Sequence, residues 1–117
     1  MTTTNDNAMH TIGRTGLPPI KFRGEMIGSG STRRHDSDRW TTVRIYRTAA
    51  GRYIYQVSNL TCWDGERDYF TAGSCASSAE VIAALKDDNG YLGAASQEAC
   101  EEATKADPAF IFEEVID

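Results

Sequence analysis

The chain has 117 residues, of which 40% are hydrophobic and 25% are charged. It carries 12 Lys and Arg against 17 Asp and Glu, so the formal net charge is −5. This length predicts one domain with one core, and the apolar content excludes a wholly disordered chain. No apolar run approaches the ~18 residues of a membrane span.

The cysteines and the N-terminus indicate the compartment. Cys62, Cys75 and Cys100 are an odd number, so they cannot all form disulfides within one chain. The N-terminal segment has no basic region followed by an apolar stretch, so no secretory signal is predicted. Both features predict a cytoplasmic protein.

The first third of the chain predicts little regular structure. Residues 1–19 are rich in Thr and Asn, and they predict a flexible arm ahead of a single domain over residues 20–117. Residues 20–27 predict a strand with a bulge at Gly24. The Gly-, Ser- and Arg-rich residues 28–39 predict a mobile loop.

The central third predicts two consecutive hairpins. Residues 40–48 and 52–63 are rich in β-branched and aromatic side chains, and the loop between them ends in Gly51. A three-residue loop with Gly51 left-handed keeps the apolar residues on one face. Asp64-Gly65 predicts a second turn. The predicted pairs are Thr48 with Arg52, Val43 with Val57, Ile45 with Tyr55, Leu60 with Tyr69 and Asn59 with Phe70.

The last third changes to a helical period. Ser77 and Glu80 form a capping box that begins a short helix, and Asn89-Gly90 ends it. Ser96 is the predicted N-cap of a second helix that Pro108 stops. Ala95, Ala99 and Ala103 predict a shallow, closely packed face on that helix, and residues 109–117 predict a further strand or an extended arm. The fold class is α+β: an antiparallel three- to five-stranded meander with two C-terminal helices packed on one face.

Charge is divided between the two halves of the chain. Residues 1–60 hold nine Lys/Arg and four Asp/Glu, whereas residues 61–117 hold three and thirteen. A basic sheet with aromatic side chains can bind single-stranded nucleic acid by stacking and phosphate contact. The nucleic-acid alternative therefore uses these residues: Arg33, Arg34, Arg44, Arg47, Arg52, Tyr46 and Tyr53.

The acidic half predicts a second kind of surface. Carboxylates at helical spacing can engage a basic groove on another protein and compete there with nucleic-acid phosphates. The predicted protein-binding residues are Asp87, Asp88, Glu98, Glu101 and Glu102. Charge reversal at the three glutamates is expected to weaken capture of such a partner.

No catalytic constellation is visible. The two histidines, His10 and His35, fall in segments predicted to be mobile, which is poor preorganisation for catalysis. No C-x-x-C pair exists, and the one zinc ligand set that the sequence offers is His35 with the three cysteines. We therefore expect no enzyme activity, no metal and no cofactor, with a small hydrolase or metal protein as the second alternative.

One stretch resembles a known pattern. Residues 44–66 resemble short uncharacterised proteins of bacteria and their mobile elements. The matching residues are Tyr46, Arg47, Thr48, Gly51, Arg52, Tyr53, Thr61, Trp63, Gly65 and Glu66. The resemblance implies a bacterial or phage accessory protein, acting in a bacterial or infected-cell cytosol.

These observations together predict a non-enzymatic binding or inhibitor protein that occupies a protein partner's surface. A counter-defence inhibitor of the anti-CRISPR type is one concrete version. A homodimer is expected if the second face of the sheet is apolar and exposed around Trp40, Tyr46 and Ile54.

Overall fold

The computed structural model describes residues 8–113 and residue 116. It confirms the α+β class, with five antiparallel strands followed by two helices. The strands are β1 (Ala8–Arg14), β2 (Leu17–Ser31), β3 (Arg39–Thr48), β4 (Tyr53–Thr61) and β5 (Tyr69–Cys75). The helices are α1 (Ser78–Leu85) and α2 (Ala94–Ala106). Within the described residues, no helix has the length and apolar character needed to cross a membrane.

The sheet is a meander that curls into a half-barrel. Its strand order is β1-β2-β3-β4-β5, so each strand pairs with its neighbour in sequence. The curl brings the turn after β1 to the edge of β5. There the Thr15 N–H donates to Phe70 O at 2.9 Å, and the Phe70 N–H donates to Thr15 Oγ1 at 2.8 Å.

The prediction of a flexible N-terminal arm was wrong over residues 8–19. Residues 8–19 belong mostly to the β1–β2 hairpin, while residues 1–7 of the predicted arm lie outside the described residues. The strand β2 also continues to Ser31, four residues into the predicted loop. Its irregularity lies between Met26 and Gly28, not at Gly24. Thr- and Gly-rich composition hid a two-residue alternation, in which Ile12 is buried.

The first predicted hairpin is confirmed. Val43 pairs with Val57 and Ile45 with Tyr55, and the Thr48 N–H donates to Arg52 O at 2.8 Å. Gly51 has φ +84°, a left-handed conformation that suits glycine.

The second predicted hairpin was wrong by one residue. Asn59 pairs with Tyr69, and Ser58 pairs with Phe70. The connection spans residues 62–68 instead of the two residues Asp64-Gly65. Asp68 sets this register, because its Oδ1 accepts the Thr61 N–H at 3.0 Å and closes the loop.

The helix side of the sheet holds the larger core. Val43, Ile45 and Val81 are buried there, with Phe110 fully buried between the helices and the sheet. Ala95, Ala99 and Ala103 are also buried, which confirms the predicted shallow face. That face packs on Gly28 and Gly30 of β2 so closely that a Cβ on either glycine would overlap a backbone carbonyl of α2.

The opposite, concave side holds a second cluster. The β1–β2 hairpin folds over it, so that Ile12 packs with Tyr46, Ile54 and Ala72. Gln56 is buried beside them and donates to Gly13 O at 3.2 Å. The exposed apolar face on which the homodimer prediction depended is therefore absent at Tyr46 and Ile54.

The helix ends differ from prediction in two places. The capping box is present, since Ser77 Oγ accepts the Glu80 N–H at 3.2 Å, but α1 ends at Leu85, before Asn89. The second helix begins at Ala94 with Gly93 as its N-cap, so Ser96 lies inside it and is buried. It ends before Pro108, as predicted. Residues 109–113 form no strand, and residues 114, 115 and 117 of the predicted segment lie outside the described residues.

Candidate functional site

The predicted acidic surface is only partly free. Glu98 Oε1 accepts the Ser31 N–H at 3.0 Å, which ties α2 to the end of β2. Asp87 Oδ1 accepts the N–H groups of Asn89 and Tyr91, so it stabilises the turn after α1. The remaining three, Asp88, Glu101 and Glu102, are exposed. The structure therefore places two of the five predicted carboxylates in structural roles.

Two residues of the predicted nucleic-acid surface belong to an internal polar network. The Tyr53 hydroxyl donates to Oδ2 of buried Asp107 at 2.9 Å, and Arg47 Nε lies 3.7 Å from the same oxygen. The Ala109 N–H donates to Asp107 Oδ1 at 2.9 Å. Desolvation raises the pKa of Tyr53, so its phenol stays a donor to this carboxylate. The network holds the end of α2 against the sheet.

The other predicted basic and aromatic residues are dispersed. Tyr46 is buried in the concave cluster, where desolvation raises its pKa. Arg44 is exposed on β3, and Arg52 donates to Ser74 Oγ at 3.3 Å. Arg33 and Arg34 lie in the β2–β3 loop. With both tyrosines buried, the structure does not assemble the stacking surface that was predicted from them.

A cleft forms instead at the end of the sheet that α2 leaves uncovered. The first turn of α2 packs on Gly30, which pairs with Val43. The next row, Thr41 with Asn59 and Tyr69, lies beyond the helix on the same face. This end cleft has a volume of about 560 Å³. Its lining is completed by Thr32, Arg39, Trp40, Leu60, Thr61, Glu66 and Arg67.

An ion pair forms one wall of the end cleft. Arg39 Nε donates to both carboxylate oxygens of Glu66, at 3.0 and 3.2 Å. The Thr61 hydroxyl donates to Glu66 Oε1 as well. These hydrogen bonds, that of Arg39 first, lower the pKa of Glu66. The pair fixes the 62–68 loop against the start of β3.

Aromatic side chains surround this wall. Trp63 and Tyr69 expose 52% and 54% of their surface. The Arg33 guanidinium lies over the Trp40 ring at 4.4 Å, and the Arg39 guanidinium lies 5.9 Å from the Trp63 ring centre, so both make cation–π contacts. The cleft therefore combines exposed aromatic area with arginines held in fixed positions.

Sequence reasoning missed the end cleft. Its residues come from three segments, and the shift in the β4–β5 register moved Tyr69 from Leu60 to Asn59. The one sequence feature that could have indicated the cleft is the placement of Trp40, Trp63 and Tyr69 beside two predicted loops.

The thiols and acids show no site for metal chemistry in the part of the chain described. No group of three or more His, Cys, Asp or Glu side chains comes together there. Cys75 and Cys100 are buried, and burial raises the pKa of Cys100 to about 11. Cys62 is exposed, and its sulfur lies 3.5 Å from Asp38 O.

Comparison of the chain with family models, curated proteins and solved structures finds no match in any of the three.

Proposed function

We propose that this protein acts by binding a protein partner, and that the end cleft is its contact surface. The observation that carries the proposal is the grouping of Tyr69, Arg39 and Arg67 in the cleft lining, with exposed Trp63 beside Arg39. Trp, Tyr and Arg are the side chains that most often dominate binding energy at protein interfaces. Trp63 and Tyr69 are each exposed by more than half, and neither contributes to the core.

The scaffold supports this role because hydrogen bonds tie the loop beside the cleft to the sheet. The Arg39–Glu66 pair and the Asp68 contact to Thr61 fix the loop that carries Trp63. A preordered surface loses less conformational entropy on binding, so more of the contact energy appears as affinity.

The acidic surface on α2 remains a competing location for the same function. Glu101 and Glu102 are exposed there, whereas Glu98 is engaged with Ser31. A counter-defence inhibitor would be one version of a protein that binds through either surface, and it stays a prediction from the sequence resemblance.

The two locations are separated by capture from a bacterial lysate with three immobilised baits. These are the wild type, a cleft variant carrying Trp63→Ala and Tyr69→Ala, and a surface variant carrying Glu101→Lys and Glu102→Lys. All four positions are exposed, so the folded state is expected to change by no more than about 0.5 kcal/mol each. Equal thermal unfolding midpoints serve as the control.

We expect the cleft variant to lose a specifically captured protein by about tenfold or more, which is about 1.4 kcal/mol of binding energy. The surface variant is expected to retain it. If the cleft variant captures as well as the wild type, the end cleft is not the contact surface. If only the surface variant fails, binding is through the acidic helix.

A further inference from the structure

The charges that line the end cleft are unequally compensated. Glu66 is engaged by Arg39 and Thr61, and both its oxygens accept hydrogen bonds. Asp68, in the same loop, is engaged by the Thr61 N–H. Arg67 lies between these two carboxylates in sequence, yet among the described residues none pairs with its guanidinium. The cleft is thus left with one uncompensated positive charge.

A second cation, Arg33, lies outside the cleft lining, beside Trp40. The Arg33 guanidinium stacks on the Trp40 ring, and no carboxylate of the described residues pairs with it. Stacking holds a guanidinium in place while its N–H groups remain available, and these suit a carboxylate bidentately. Within the cleft, Tyr69 lies on the same face as Thr41 and Asn59 and supplies apolar area two residues from Arg67.

We infer that the end cleft binds a short acidic segment of the partner, with an apolar or aromatic side chain against Tyr69 and a carboxylate toward Arg67. This inference rests on the proposed function and names the chemistry of the partner. The unpaired Arg67 guanidinium is complementary to a carboxylate of a ligand.

The surroundings favour a peptide over a nucleic acid. The loops beside the cleft carry Asp36, Asp38 and Asp64 in addition to the arginines, and all three are exposed. A polyphosphate would lie against these carboxylates along its length, because its charges are evenly spaced. A peptide can place one carboxylate at Arg67 and neutral side chains elsewhere.

The test is selection from a displayed library of random dodecapeptides on the immobilised full-length protein. Parallel selections use Arg67→Glu and, as a matched control, Lys105→Glu, which makes the same charge change on the exposed face of α2. We expect wild-type and Lys105→Glu selections to enrich Asp or Glu next to an aromatic or aliphatic residue. The Arg67→Glu selection is expected to lose that preference.

Binding constants of the enriched peptides complete the test. We expect the Arg67→Glu substitution to weaken them about tenfold or more, and Arg67→Lys to weaken them less, because lysine keeps the charge without the bidentate geometry. Absence of enrichment, enrichment of basic or uncharged peptides, or equal affinity for Arg67→Glu would overturn the inference. So would tighter binding of a thymidine oligonucleotide, or self-association abolished by the cleft variant.

Failure of this inference is distinguishable from failure of the proposed function. If the lysate partner depends on Trp63 and Tyr69 but the peptides show no acidic preference, the cleft binds a partner of different chemistry. If the lysate partner is insensitive to those residues, the proposed function fails whatever the peptides show.

Discussion

The contact between β2 and α2 depends on the absence of a side chain at Gly28. A Cβ added there would overlap the Ala99 carbonyl oxygen and lie 2.9 Å from Ala103 N, inside the 3.4 Å at which ordinary van der Waals contact begins. Both obstructing atoms are helix backbone, which cannot rotate away as a side chain would. We therefore expect Gly28→Ala to force the helix away from the sheet and to cost about 3 kcal/mol, the upper part of the usual range for overpacking.

A smaller effect on the unfolded chain offsets part of this destabilisation. Replacing glycine by alanine stabilises a protein by roughly 0.4–1 kcal/mol where the native backbone accepts alanine, because the unfolded state loses entropy. The expected net destabilisation is therefore about 2–3 kcal/mol. Dividing this free energy by the unfolding entropy typical of a chain of 117 residues gives a fall of roughly 8–12 °C in the thermal unfolding midpoint.

Urea and thermal unfolding of three variants measure the effect. Gly13→Ala is the matched control, since Gly13 also lies in a strand and a Cβ there meets nothing within 4 Å. It is expected to be as stable as the wild type or slightly more so. Gly28→Ala combined with Ala99→Gly should recover nothing, because the Ala99 carbonyl remains. Equal stability of Gly28→Ala and Gly13→Ala would refute the close-contact account.

Three further outcomes are expected. Tyr53→Phe should cost about 1–3 kcal/mol in urea unfolding, because it removes the hydroxyl that donates to buried Asp107; an unchanged midpoint would count against the network. Burial raises the pKa of Tyr46, Tyr53 and Tyr55 above the unfolded value of 10.0, so their contribution to stability is complete below pH 10 and is lost as pH rises through the folded pKa values. Alkaline unfolding should accordingly be shallower in Tyr53→Phe than in the wild type. A thiol reagent at pH 8 should label Cys62 alone in the folded protein and all three cysteines in urea, since Cys75 and Cys100 are buried; labelling of Cys100 in the folded state would contradict its burial.

Local signals in the sequence were sufficient for the scaffold. The loop ending in Gly51 and the apolar alternation on either side specify one register, because a shift by one residue would expose half of the patch. The alanine spacing of α2 likewise specifies a shallow helix face. These features depend on neighbouring residues or on one repeating spacing within a strand or helix. They can therefore be interpreted without knowing the tertiary structure.

The predictions were wrong where contacts between residues far apart in the sequence determine the local structure. Glycines at 28 and 30 indicate a loop by composition, but they are strand residues because α2 needs to approach the backbone there. Asp64-Gly65 indicates a two-residue hairpin, but the Asp68 contact to Thr61 closes a longer loop. In both places, the conformation that the local sequence weakly favours is overridden by a contact with a residue outside that local stretch.

The same glycine contacts explain why the end cleft exists. Close packing of α2 on Gly30 and Gly28 fixes the position of the helix along β2, and its N-terminal end is further tied by Glu98 to the Ser31 N–H. The helix therefore cannot slide to cover Thr41 and Asn59, and the row that ends at Tyr69 stays open to solvent. A change that loosens this contact should thus alter binding at the cleft as well as stability. Glu98→Gln, which keeps a weaker acceptor for Ser31, should leave peptide affinity within about twofold, whereas Gly30→Ala should weaken it more at a temperature where both variants are folded. Identical affinity of the two variants would mean that the position of the helix does not shape the cleft.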